Sequence, residues 1–259
     1  MEFRILGAIE VIDTDGQSLA LGGSRCRAML AALALEPGAL VSRESLIDRL
    51  WAAPPATAVH AVAVFASRLR RVLGRQRVSC HGAAYRLELD PDELDLARFR
   101  FLVRSARERV DSGNPRQAAC LLAEGLAIWR GEALACLSGE PLTADVRAFL
   151  EEERLTAVEI EIDVRLELGQ HHELLAELRR LTDLHPNRER LTARLMLALY
   201  RCGRQVDALE LFAAVRHRLH DELGVEPGTE LRALQRSILA HDPALGPRLP
   251  RDDQPLSAR

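Results

Sequence analysis

The chain has 259 residues, 47% of them hydrophobic, with a formal net charge of −3. That length supports one large domain or two ordinary ones with real cores, and the charge excludes a chain that is basic throughout. Aromatics are only 4% while Leu, Ala and Arg dominate, a mix that favours helices over an all-β fold; all 35 basic residues are arginine.

Phe3-Arg4-Ile5-Leu6 leads into Gly7, and Ile9-Glu10-Val11-Ile12 alternates at period 2. Asp13-Thr14-Asp15-Gly16 supplies turn chemistry, and Leu19 and Leu21 continue the alternation, predicting a small antiparallel sheet. Gly22-Gly23-Ser24 opens a helix with Ser24 as N-cap, Met29, Leu30, Leu33 and Ala34 as its stripe, and Pro37-Gly38 as its end. Val41-Ser42 is a short extended link. Ser42 caps a second helix with Leu46, Ile47 and Leu50 on its apolar face, ending at Trp51; Ala52-Ala53-Pro54-Pro55 is a loop. Thr57 caps a third helix that runs to about residue 73, with Gly74 as C-cap. Residues 78–80 and 85–89 read as a hairpin around His81-Gly82.

From about Asp95 the pattern is helical only. Stripes at Leu102, Ala106, Val110 and at Ala118, Leu122, Leu126, Trp129 are broken by Gly113-Asn114-Pro115 and by Gly131. Helices follow at 144–168, 174–184, 189–202, 206–223 and 229–240. Paired helices with Gly or Pro at the turns predict an α-solenoid. Residues 241–259 hold four prolines in mixed charge and read as a disordered tail.

Charge distribution singles out the third helix. Residues 60–87 carry six arginines (68, 70, 71, 75, 77 and 86) and no acid, whereas 95–259 carry 24 arginines and 27 acids. One short basic segment in a neutral-to-acidic chain is a footprint for a polyanion. Val62, Ala66, Leu69 and Leu73 share one face and should pack inward. The other side presents Thr57, His60, Val64, Ser67, Arg68 and Arg71, with Arg70 further round. Two helices, a loop and a third helix with an arginine-rich face is helix-turn-helix logic, and such a helix fits the major groove of a duplex. Arg68 and Arg71 can reach guanine edges or phosphates, Ser67 can donate to a phosphate, and the hairpin with Arg77, His81 and Arg86 would lie along the backbone as a wing. A solvated arginine face is the bland alternative; the order strands, three helices, hairpin weighs against it.

Residues 1–94 resemble the OmpR-type winged helix as it occurs in the Streptomyces antibiotic regulatory protein (SARP) family. The resemblance is carried by Phe3-Arg4-Ile5-Leu6-Gly7, Leu46-Ile47-Asp48-Arg49-Leu50-Trp51, Pro54-Pro55-Ala56-Thr57-Ala58, Ser67-Arg68-Leu69-Arg70-Arg71-Val72-Leu73-Gly74 and Tyr85-Arg86-Leu87. Leu94-Asp95-Leu96 and Phe99 resemble the start of the family's all-α, tetratricopeptide-like bacterial transcriptional activation domain. Trp129-Arg130-Gly131-Glu132-Ala133-Leu134 fits its first helix pair; residues 194–205 and 221–228 fit its last. The implied fold class is mainly α with a small β part. The implied organisation is 1–94 winged helix, 95–240 helical-repeat domain and 241–259 tail. The implied function is a DNA-binding transcriptional activator of a secondary-metabolite (antibiotic) gene cluster. Such a protein binds direct repeats of double-stranded DNA near promoters, self-associates there and recruits RNA polymerase holoenzyme. Without GxxxxGK[ST], the chain resembles the family's small members, which lack an ATPase domain. It departs from the pattern at His60, at the small Ala61 and Ala63, at Phe65, and at Gly82-Ala83-Ala84-Tyr85 in the wing; Val64 and Phe65 would then offer apolar contact to thymine methyls.

Other chemistry is thin. His171-His172, and His217 with His220, invite a metal, but no Cys or carboxylate constellation supports it, and no cofactor is implied. Cys26 and Cys80 would be redox-sensitive only if arginines stabilised their thiolates; small buried hydrophobes are the plainer reading. Trp51 and Trp129 read as core, Glu151-Glu152-Glu153 as a solvated helix start, and Glu210 and Glu222 as solvated faces. No GxSxG, HExxH or catalytic acidic pair occurs, so an enzyme is not expected. Five scattered cysteines without CxxC, no signal peptide and no apolar run near the ~18 residues that span a bilayer imply a cytoplasmic, nucleoid-associated protein. The alternatives are a helical-repeat interaction scaffold and a ligand-sensing regulator with weakened DNA binding.

Overall fold

In the computed structural model, which describes residues 1–137 and 141–246, the alternating stretches at the N-terminus pair as their period demands. Strands β1 (Glu2–Arg4) and β2 (Glu10–Ile12) are antiparallel with Phe3 opposite Val11, both buried. Leu19 N–H donates to the Val11 carbonyl at 2.9 Å, continuing the pattern as expected. Ile5 and Leu6 leave the strand for a better set of partners. The buried carboxylate of Asp95 accepts from Ile5 N–H (2.8 and 3.0 Å), Leu6 N–H (2.9 Å) and Leu96 N–H (2.8 Å), and Arg130 stands 3.3 Å away. On the other side the chain is bonded by Arg130 N–H to Leu6 O (2.9 Å), Leu134 N–H to Ile5 O (3.1 Å) and Ala135 N–H to Gly7 O (3.1 Å). Gly7 has φ +147°, and a Cβ there would sit 3.1 Å from the Arg130 Cβ, so this approach needs glycine.

Helix α1 (Ser24–Ala34) begins one residue before the expected Ser24 cap: Gly23 is the N-cap, and no side chain caps the helix. Strand β3 (Val41–Ser42) leads into α2 (Arg43–Leu50), where Ser42 Oγ accepts from Ser45 N–H at 3.1 Å as expected. Helix α3 (Ala58–Leu73) packs on both. Strands β4 (Val78–His81) and β5 (Ala84–Leu87) form the hairpin, with Gly82 at φ +61° in its turn, in a sheet ordered β3-β5-β4.

The contacts divide the chain into two units, Met1–Ala106 with Leu121–Ala157, and Arg107–Cys120 with the described residues from Val158. The division expected at residue 94 lies inside the first unit. One apolar core runs from Leu30, Leu46, Leu69 and Leu87 through Phe99, Trp129, Leu134 and Leu150 to Ala157. It draws on helices α4 (Asp95–Asp111), α5 (Pro115–Ala127) and α6 (Pro141–Glu167). Phe99 meets Trp129 edge-on at 5.4 Å, and Arg154 lies 5.1 Å over the same indole. Glu153 accepts two bonds from Arg100 (2.9 and 3.0 Å). The acidic triplet at 151–153 is therefore interior to α6, which starts at Pro141, and not a helix start.

The second unit contains α7 (His171–Leu184), α8 (Glu189–Arg201), α9 (Gln205–Arg218), a π-helical turn at Leu219–Leu223 and α10 (Thr229–Leu239). Their apolar stripes close on a second core of Leu174, Leu178, Leu195, Met196, Phe212 and Leu231. Its polar centre is Glu159, buried against Arg188 (2.8 Å), Arg190 and Arg194 (both 3.6 Å), while Arg194 also grips Asp163 at 2.6 Å. Glu210 and Glu222 are exposed, as expected. The tail expected from 241 is ordered at its start: Pro243–Leu245 forms a 3-10 turn whose Leu245 carbonyl accepts from Arg201 at 2.8 Å. Residues 247–259 lie outside the described residues.

Removing a buried acceptor strands its donors. Asp95→Ala is expected to cost the first unit about 3–5 kcal/mol in urea unfolding followed by circular dichroism. A loss below about 1 kcal/mol would mean that the carboxylate is not the anchor.

Candidate nucleic-acid interface

Helix α3 owes its placement to its apolar stripe. Ala58, Val62, Ala66, Leu69 and Leu73 are all buried against the rest of the first unit, and Gly74, at φ +97°, ends the helix with its N–H on the Arg70 carbonyl. The opposite face is open: Thr57, His60, Val64, Ser67, Arg68 and Arg71 are exposed, Val64 by 47%. Thr57 occupies the N-cap position, but its side chain makes no cap bond, against expectation, because its backbone is not extended there (φ −88°, ψ 3°).

Among the described residues no carboxylate pairs with Arg68, Arg70 or Arg71. Arg70 is half-buried, with a buried Nε that has no hydrogen-bond partner. Arg68 crosses towards the start of α1: a Cβ on Gly22, whose φ is +103°, would lie 2.7 Å from the Arg68 guanidinium carbon. Phe65 does not stand free for a thymine methyl. It is half-buried and stacked on Trp51, centroids 6.2 Å apart and planes at 20°, leaving Val64 as the apolar group on the open face.

The hairpin corrects one expectation. Arg77 is not an available cation, since Glu93 takes two of its nitrogens (2.5 and 2.6 Å). It also lies over the Phe3 ring at 5.8 Å. Glu93 accepts in addition from the N-terminal amine (3.3 Å) and Asp90 N–H (3.1 Å). The guanidinium beside Glu93 holds its carboxyl at about 2, far below the ordinary 4.5. No aspartate or glutamate stands in 60–87, and the partner comes from six residues beyond. Arg86 is paired with Glu88 at 3.0 Å; an exposed pair of this kind is worth only about 0–1 kcal/mol, so a phosphate can displace it. His81 and Ser79 share a 3.1 Å contact near the tip.

Arg25, overlooked in the sequence, stands over Trp51 at 5.6 Å. The overlooked signal is an acid-free run at residues 16–35 that includes Arg25 and Arg27. Burial pushes the Cys26 thiol up, with the positive Arg68 and Arg27 opposing, so its thiolate is not stabilised. Cys80 is exposed, its thiol 3.6 Å from the Gly82 carbonyl. His171 is buried, His172 is exposed, and His217 pairs with Asp221 at 3.2 Å. No cluster of three metal-ligating residues occurs among the described residues, and none of their helices is long and apolar enough to cross a membrane.

Comparison with known proteins bears on both parts of the chain. Residues 16–87 match the family described as the C-terminal domain of transcriptional regulatory proteins, and residues 94–239 match the bacterial transcriptional activator domain. The regulatory protein AfsR of Streptomyces coelicolor is 42% identical over 95% of this chain, but the chain spans only 25% of AfsR. The regulatory protein DnrI of Streptomyces peucetius is 35% identical over 96% of this chain and 97% of its own length. A solved structure of Mycobacterium tuberculosis EmbR, in complex with a low-affinity phosphopeptide, superposes with a TM-score of 0.89 at 31% identity, covering 93% of this chain and 65% of that one.

The low carboxyl of Glu93 makes the Arg77 pair a pH-dependent support of the hairpin. A carboxyl shifted down stabilises the fold above its unfolded value near 4.5, and this support is lost as pH falls towards 2. Glu93→Gln is expected to lower stability at neutral pH by about 1.5–3 kcal/mol. The gap from wild type should close as pH falls from about 5 to about 2, and a gap that stays constant in pH-resolved melts would contradict this.

Proposed function

The chain belongs to the Streptomyces antibiotic regulatory protein family, and on that premise we propose that it is a sequence-specific DNA-binding transcriptional activator of a secondary-metabolite gene cluster. The observation that carries this is the open face of α3, where Arg68 and Arg71 stand without carboxylate partners among the described residues, beside Thr57, His60, Val64 and Ser67. A helix so presented enters the major groove, where a forked guanidinium reads guanine, a hydroxyl donates to phosphate, and Val64 can touch a thymine methyl. Arg70 and Arg86 add phosphate contacts at the margins, and Arg77 holds the hairpin to the body of the first unit.

Binding at direct repeats would place two copies on one face of the duplex, with centres separated by about one helical turn or a multiple of it. The helical repeats then meet RNA polymerase holoenzyme. This assigns a regulator rather than a catalyst, working in the cytoplasm on nucleoid DNA.

Selection from a random duplex pool, followed by footprinting on genomic DNA, tests the reading. Arg71→Ala and Arg68→Ala are each expected to cost about 1–3 kcal/mol on the selected duplex if the side chain reads a base. Arg77→Ala should cost stability instead of selectivity. Equal wild-type affinity for selected and scrambled duplexes would sink the proposal. So would transcription with purified holoenzyme that does not rise on a footprinted promoter.

A further inference from the structure

The flank of α3 that faces α1 has a cation beside it that the function above does not use. Phe65 and Arg68 are three residues apart and so neighbours on that flank. Arg68 lies against Gly22 at the entrance to α1, and Phe65 stacks on Trp51. The third member of the arrangement is Arg25, in the first turn of α1, whose guanidinium carbon is 5.6 Å from the centroid of the Trp51 ring. Arg25 is exposed, and no carboxylate pairs with it among the described residues.

Nine of the seventeen arginines in this first unit pair with a carboxylate among the described residues, and Arg25 is one of the eight that do not. Arg4, Arg49, Arg77, Arg86, Arg98 and Arg100 each have a carboxylate within 4 Å. Arg25 has an aromatic face instead. A ring engages the flat side of a guanidinium, and the N–H donors at its edge stay uncommitted. Because Trp51 stacks in turn on Phe65, the cation is held at a set place beside the groove-reading helix, at a smaller entropy cost than a free side chain would carry.

We propose that Arg25 is a phosphate-contacting residue of the DNA interface, extending the Arg68–Arg71 surface from α3 onto the start of α1. The inference rests on α3 being the helix that enters the groove. A phosphate contact positions the protein without reading sequence, so Arg25 should raise affinity for every duplex alike.

The test uses the full chain as wild type, Arg25→Met, Arg25→Lys and Arg71→Ala. Methionine keeps an apolar stem on Trp51 and removes the charge; lysine keeps the charge. Affinity is measured across a salt series on a duplex selected by the wild type and on a scrambled duplex of the same length, with thermal melts confirming the fold. Arg25→Met is expected to weaken both duplexes by about tenfold and to reduce the salt slope by about 0.9, leaving their ratio unchanged. Arg25→Lys should keep the slope. An unchanged slope for Arg25→Met overturns the proposal, as does a loss confined to the selected duplex. If Arg71→Ala loses selectivity while Arg25→Met behaves as wild type, only this inference falls; a wild type that does not discriminate between the duplexes removes it together with the function above.

Discussion

Everything in the first unit is referred to one buried carboxylate. Asp95 sits at the start of α4 and accepts hydrogen bonds from the amides of Ile5 and Leu6, just beyond β1 and some ninety residues earlier in the chain, with Arg130 closing the remaining side. Burial pushes its carboxyl up, and the amide donors and Arg130 pull against that. A buried charge is costly unless surrounded by donors, and the cost falls heavily on any arrangement that lacks them. The N-terminal segment is thereby held to one register. The same grip brings in the turn at Arg130–Ala135, whose own amides complete the bonding of residues 5–7.

A chain whose cations are all arginine has to sort them. Among the described residues many guanidinium groups are consumed internally, forked onto Glu93, Glu153 and Asp163, gathered around Glu159, or capping carbonyls as Arg147 does for Ala133 and Leu134. Carboxylate placement therefore decides which arginines can meet an outside anion. Among the described residues no carboxylate pairs with Arg25, Arg68, Arg70 or Arg71, so the positive charge of α3 and the start of α1 is not neutralised by an ion pair. A net charge of −3 conceals this, because the compensation is local elsewhere.

Much of the fold was legible because its signals are local. Apolar periodicity located the helices, Ser42 and Gly74 marked real ends, and the inward stripe of α3 is the one that period 3.6 implies. What escaped depends on distant partners. Nothing near Arg77 announces that Glu93 will hold it, and nothing near Phe65 announces Trp51. Ile5 and Leu6 look like plain strand, yet their amides go to Asp95. The Glu151–Glu153 run reads as a helix start because acids suit the positive end of a helix dipole, yet α6 begins ten residues earlier with no acid in its first turn. The open face of α3 was readable as a face; which of its cations would be free was not.

The continuity of the first core has a consequence for how such chains can be cut and recombined. A fragment ending at residue 94 would keep the groove-reading helix but lose Phe99, Trp129, Leu134 and Leu150 from the shared apolar interior, together with the acceptor for Ile5 and Leu6. Its exposed seam would invite aggregation. The portable piece, for a domain swap or for crystallisation with an oligonucleotide, is longer than sequence families draw it and reaches to about Ala157.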